Sequence, residues 1–141
     1  MTLLPARSRR AEAGFVAIEW VAATAVLLLP IVVLVASMPQ WAERRHAATV
    51  AAREAAHEVA ERWPAGDAEV AVIVATDVAA DHGIDARDVH VRVPSVGEAR
   101  GDEVEVDVEV TMPAIGVAGM SVGSWSYTAR ATRRIDDFRS R

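Results

Sequence analysis

The sequence predicts an α+β protein: a long N-terminal helix, a second helix, then a small antiparallel three-stranded sheet. Three observations predict it. An apolar run of membrane length lies near the N-terminus, with a single acid, Glu19, near its start. An alanine-rich amphipathic stretch follows it directly. The second half then switches to valines at every other position, the period of a half-buried strand.

Composition narrows the chemistry. The chain has 141 residues, no cysteine and no lysine, so every formal positive charge is an arginine. Without cysteine there are no disulfides, thiol nucleophiles or thiolate metal sites. A formal net charge of -5 gives no electrostatic drive toward nucleic acid.

The first element is the apolar run. Val21 to Met38 is 18 residues without a formal charge, and counting from Phe15 gives 24. At about 1.5 Å per residue, 24 helical residues span roughly 36 Å, enough for a hydrocarbon core of about 30 Å. Arg7, Arg9 and Arg10 precede the run and favour a cytoplasmic N-terminus, against the weaker pull of Arg44 and Arg45 beyond it. Trp20 and Trp41 bracket it as interfacial aromatics do, and Pro30 is expected to kink it. Simpler readings are an ordinary signal anchor and a cleaved secretory peptide ending near Ala36-Ser37-Met38. The run is too long for a secretory apolar region, and the acid near its start is foreign to one.

The second element, residues 41–63, carries alanine on one face and Arg44, Arg45, Arg53, Glu54, Glu58, Glu61 and Arg62 on the others. It reads as a continuation of the first helix, ended by Pro64-Ala65-Gly66. Asp67 is a candidate N-cap for a second helix, in which Val70, Ile73, Val74 and Val78 fall at helical spacing. Val70 to Val74 also admits a strand reading. His82-Gly83 is a stop signal.

The strands follow. Val89, Val91 and Val93 alternate with His90 and Arg92; Val104, Val106, Val108 and Val110 alternate with Glu103, Glu105, Asp107 and Glu109. A polar connection joins the two, which predicts an antiparallel pair. PAIGVAGMSVG, residues 113–123, reads as an irregular loop. The last strand places Trp125, Tyr127, Ala129 and Ala131 on one face and Thr128, Arg130, Thr132 and Arg134 on the other. Four acids on one strand face and arginines on another favour direct pairing, so the last strand is expected beside the acidic one, with Glu105 and Arg130 as partners. The tail from Ile135 is polar apart from Ile135 and Phe138.

Residues 14 to 19 add a motif. Gly14, then Phe15, then Glu19 at the fifth position after the glycine, behind a basic leader and ahead of an apolar helix, resembles the processing site of type IV prepilins. The resemblance implies cleavage by a prepilin peptidase between Gly14 and Phe15 and N-methylation of the new terminus. The leader would be residues 1–14, the transmembrane helix 15–38, and an extracytoplasmic pilin-like α+β domain 39–141. Removing the leader's three arginines and one acid leaves 12 basic and 19 acidic side chains, formally -7. The resemblance also gives Glu19 a role. It lies four residues from the new amine, on the same helix face, and can pair with the amine of a neighbouring subunit. The alternative is that Glu19 snorkels to the interface from the helix end.

The order of elements over nearly the whole chain is similar to that of TadE-like minor pilins (pseudopilins), in the tight-adherence or Flp branch of type IV pili. Where that branch commonly has Glu then Tyr, this chain has Glu19 then Trp20. What the resemblance implies is a non-enzymatic, single-pass protein of the cytoplasmic membrane, N-terminus inside and domain outside, assembling a Flp-type pilus. Its partners would be membrane lipid, prepilin peptidase, other pilins and the Tad assembly platform, with no cofactor, metal or nucleic acid. Ala22, Ala23, Thr24 and Ala25 would permit close helix approach. A different class stays open: a signal-anchored envelope domain that binds a ligand or partner outside any pilus.

Other motifs are weaker. Gly119-x-Ser121-x-Gly123 matches a hydrolase nucleophile elbow, but all four histidines (His46, His57, His82 and His90) precede Ser121. Glu54-x-x-His57 is a single copy of a spacing that di-iron bundles use twice. His46 and His57 share a face roughly 16 Å apart, too far for one metal. The 103–109 acids alternate along a strand, which cannot wrap a calcium ion. A flexible loop accounts for the first of these, and solvated faces account for the others.

Overall fold

A computed structural model describes the backbone of residues 8–117 and 120–136 and the side chains of residues 16–114 and 123–136. Helix α1 runs unbroken from Ser8 to Glu61, through Pro30 and Pro39. The expected continuation of one helix into the other is therefore present. The Ser37 hydroxyl donates to the Val33 carbonyl at 2.8 Å, one turn back, just before Pro39.

Burial divides α1 in two. From Val16 to Gln40 the side chains are exposed, apart from half-buried Val33 and Ser37. From Ala47 onward a ridge is closed off: Ala47, Ala48, Ala51, Ala52, Ala55, Ala56, Val59 and Ala60. Pairs repeat every four residues. Four residues turn through about 400°, so the ridge winds slowly around α1 as the domain wraps it.

Helix α2 spans Ala68–Asp81, which settles the helix-or-strand ambiguity at Val70–Val74. The Asp67 carboxylate accepts from Glu69 N at 3.0 Å and Val70 N at 3.1 Å, the expected N-cap. Its C-terminus is a Schellman motif: Gly83 N donates to Ala80 O and Ile84 N to Ala79 O. Gly83, at φ +70°, occupies the left-handed position that this cap requires.

One detail of α2 departs from expectation. The buried line is Ala71, Ala75 and Ala79. Val70, Val74 and Val78 flank it half-buried, and Ile73 is 54% exposed. The reason is steric. Two alanine ridges at four-residue spacing bring the α1 and α2 backbones close together. Branched side chains fit beside that line, not on it.

After a short 3₁₀ turn at Ala86–Asp88, strands β1 (Val89–Ser95) and β2 (Glu103–Met112) pair antiparallel. The chain then forms a two-stranded hairpin, β3 (Ile115–Val117) and β4 (Met120–Val122), where an irregular loop was expected. Strands of three residues carry too little alternation to show in the sequence, and Gly116 interrupts the first. Strand β5 (Trp125–Arg134) completes a sheet of order β1-β2-β5. The acidic strand is thus central and the arginine strand is its direct neighbour, as charge complementarity predicts.

The sheet packs one face on α1 and α2. Val104, Val106, Val108 and Val110 are fully buried there, and Met112 is 1% exposed. Ile135, expected in a polar tail, is 2% exposed and belongs to this core. Its N–H donates to Asp102 O at 2.8 Å and its carbonyl accepts from Gly101 N at 3.2 Å, so the β1–β2 connection anchors the end of β5. Phe138 lies outside the described residues.

Candidate processing and anchoring segment

The segment singled out by sequence lies on α1. Gly14 and Phe15 are helical in backbone; their side chains, and residues 1–7, lie outside the described residues. Glu19 is exposed, four residues and about one turn beyond Phe15. Trp20 beside it is 71% exposed.

Beyond Glu19, α1 is long and apolar enough to cross a membrane, and none of its most apolar 18-residue window is buried. Val21, Val26, Leu27 and Val32 are each more than 60% exposed. A soluble protein buries such a stripe in its core; here the domain's core lies further along the same helix. About 21 residues separate Trp20 from Trp41, or about 32 Å of helix, close to the thickness of a hydrocarbon core.

Trp41 does more than bracket the apolar run. Its ring packs edge-on against Trp125 of β5, with centroids 5.7 Å apart at 82°. Its indole N–H points to the Pro113 carbonyl at 3.4 Å. Arg44, one turn on, donates to Thr111 O at 2.6 Å and to Asp88 Oδ2 at 3.2 Å. The Arg45 guanidinium lies 4.9 Å from the Tyr127 ring centroid. These contacts rivet the start of the domain to the helix. The sequence showed Arg44 and Arg45 only as solvated charge; a carbonyl partner 67 residues away leaves no local pattern. At the other end of the domain, Trp63 Nε1 donates to Gly97 O at 3.0 Å.

The polar face of the sheet gathers its charges as predicted, with one refinement. Arg130 is in register with Asp107 and makes a two-pronged contact: Nε to Oδ1 at 2.8 Å and Nη2 to Oδ2 at 3.0 Å. Its Nη1 also approaches Glu105 Oε1 at 2.6 Å. That oxygen is shielded from solvent and meets no donor with hydrogen-bond alignment, so its contact with Arg130 is electrostatic. The carboxylates, Asp107 foremost by its hydrogen bonds, raise the Arg130 pKa above its ordinary value. Arg92 reaches Glu109 at 3.7 Å, and His90, Arg92, Asp107, Glu109 and Thr128 line a shallow depression between them.

The weaker motifs acquire no site geometry. Ser121 lies in β4 and is followed by β5, whereas a nucleophile elbow needs a helix after the serine. Gly119 lies outside the described residues. His46 packs edge-on against His82, with ring centroids 6.0 Å apart. Among the described residues, no three His, Asp or Glu side chains converge as metal ligands do.

The fold and this segment define a class: an α+β domain rigidly continuous with a helix that can cross a membrane. In comparisons with known proteins, no family model, curated protein or solved structure matches the chain.

Proposed function

We propose that the chain is a membrane-anchored TadE-like minor pilin or pseudopilin that takes part in assembling a Flp-type (type IVb) pilus. On this reading it inserts with residues 1–14 in the cytoplasm and residues 39–141 outside. Prepilin peptidase cuts between Gly14 and Phe15. The apolar helix then stays in the bilayer or packs against other pilin helices.

The observation that carries the reading is one continuous helix, α1, serving two purposes. Its first half presents the Gly14-Phe15-Glu19 pattern and an uncovered apolar surface; its second half is the spine of the domain. A secretory peptide is separable from the domain it exports. Here no break separates the apolar stretch from the core ridge, so removal near Met38 would cut a helix in mid-course.

Glu19 supplies the assembly logic. An amine created at Phe15 and a carboxylate one turn away are both costly in hydrocarbon unless paired. Pairing the amine of one subunit with Glu19 of the next favours an axial stagger between them.

The test is the intact mass and N-terminus of the protein isolated from membranes. A chain of 141 - 14 = 127 residues beginning at Phe15 with one added methyl group is expected. An uncut chain from cells with active prepilin peptidase overturns the reading and points to a signal-anchored envelope domain. A chain beginning near Pro39 points to ordinary secretion.

A further inference from the structure

The end of the domain nearest the apolar half of α1 differs from the rest. Trp41 lies three residues, or about 4.5 Å of helix, beyond Met38, where the apolar run ends. Trp125 sits against Trp41 at the same level and is 45% exposed. Met112, the end of β2, is in register with Trp125, and Pro113 accepts the Trp41 N–H. Between Met112 and Trp125 the chain forms the β3–β4 hairpin, with β3 packed against α1. From Val110 to Ala129, twenty consecutive residues include no Asp, Glu, Lys, Arg or His, in a chain that is 25% charged. The charged rungs of the sheet begin at Glu109 and Arg130 and continue toward the opposite end.

We propose that Trp41 and Trp125 form a seat for the lipid headgroup–acyl boundary. The domain rests on the bilayer through this edge. This inference rests on the reading of α1 as membrane-spanning. Given that reading, continuity selects lipid as the occupant. Only eight residues, 39–46, separate the apolar run from the first buried residue, Ala47. They are helical, so they add about 12 Å of rigid rise and no slack. An edge that carries two indoles, with no charged residue from Val110 to Ala129 and with Arg44 held inward on the Thr111 carbonyl, is thereby held at the depth that tryptophan prefers in membranes. Trp20 then marks one interface; Trp41 and Trp125 together mark the other.

The absence of cysteine makes the test direct. Single nitroxide labels are placed on the full chain at Ser124→Cys, Val96→Cys and Val32→Cys, in lipid bilayer nanodiscs. Val96 is exposed near Gly97, which Trp63 holds at the far end of α1. Accessibility to oxygen and to a water-soluble nickel chelate reports depth by power saturation. The Ser124 label should read between the buried Val32 label and the aqueous Val96 label. A Ser124 label as aqueous as Val96, with Val32 buried, overturns the seat and leaves the span standing. An aqueous Val32 label overturns the span and the seat with it. Adding Trp125→Glu should move the Ser124 label toward water while Val32 stays put. An unmoved label overturns the assignment to Trp125.

Discussion

Arg130 and Asp107 face each other across β5 and β2 and join through two parallel hydrogen bonds, at 2.8 and 3.0 Å. The pair lies where the polar faces of the two strands meet, and Glu105 lies one rung along within reach of the same guanidinium. Reversing one charge places like charges opposite each other. Arg130→Asp and Asp107→Arg should each lower the urea midpoint of the detergent-solubilised full chain. The double variant should recover part of the loss. No recovery would mean that the two residues act independently.

Alanine along α1 is a packing requirement. Ala55 is fully buried on the ridge at the centre of the domain. Ala55→Leu inserts three carbons into a filled space and should cost about 1–3 kcal/mol. Ala36→Leu, on the exposed apolar half, should leave the unfolding midpoint unchanged. A midpoint unaltered by Ala55→Leu would show that the helices separate easily.

Two glycines separate conformational from steric cost. Gly83 is left-handed at φ +70°, with open space where a Cβ would go. Gly83→Ala should cost about 1–2 kcal/mol, the penalty of that backbone region alone. At Gly66 a Cβ would overlap the Val59 carbonyl oxygen, and the Gly66 N–H donates to Arg62 O at 3.1 Å. Gly66→Ala should therefore cost more than Gly83→Ala in the same denaturation series, because relief requires moving backbone.

Acid should act partly through the 3₁₀ turn. Hydrogen bonds from the Arg87 side chain and its backbone N–H hold the Asp85 carboxyl below its ordinary pKa. A depressed carboxylate pKa contributes stability that is present above the unfolded value, near pH 4. It is lost as pH falls through the lower, folded value. Asp85→Asn should flatten the decline of the unfolding midpoint below pH 4 and leave its shape above pH 5 unchanged. The pair is exposed, so the effect is small. An unchanged acid limb would assign the decline to other carboxylates.

Glu19 distinguishes processing from assembly. Glu19→Ala keeps Gly14-Phe15 intact and removes the proposed partner of the new amine. Cutting should persist, by intact mass, while N-methylation or incorporation into pili is impaired. Normal piliation would remove Glu19 from the pairing role.

Much of this architecture is legible in the chain because it depends on local periodicity. Valine at every second position between Glu103 and Val110 can bury one face only as a strand. Asp67 and Gly83 mark the limits of α2 because capping chemistry acts within a few residues. Charge pattern went further and identified β5 as the neighbour of β2, since cross-strand pairing turns one-dimensional alternation into a contact. The proposed processing segment stands out in the sequence for a similar reason: Gly14, Phe15 and Glu19 lie within six residues of one another.

The order and type of the main elements, the membrane-length apolar helix and the sheet's charged face thus follow from local sequence pattern. Tertiary structure alone decided which apolar residues form the core and where the aromatics act. Ala71, Ala75 and Ala79 take the buried line of α2, and Ile73 is left outside, because the opposing surface is a ridge of alanines that admits no larger side chain. Ile135 leaves its polar surroundings because the Asp102 carbonyl and Gly101 N–H capture its backbone. Trp125 meets Trp41 because β5 starts where β2 ends, beside the exit of the apolar helix. These outcomes depend on residues far apart in sequence, and local periodicity carries no record of which distant surface a side chain meets.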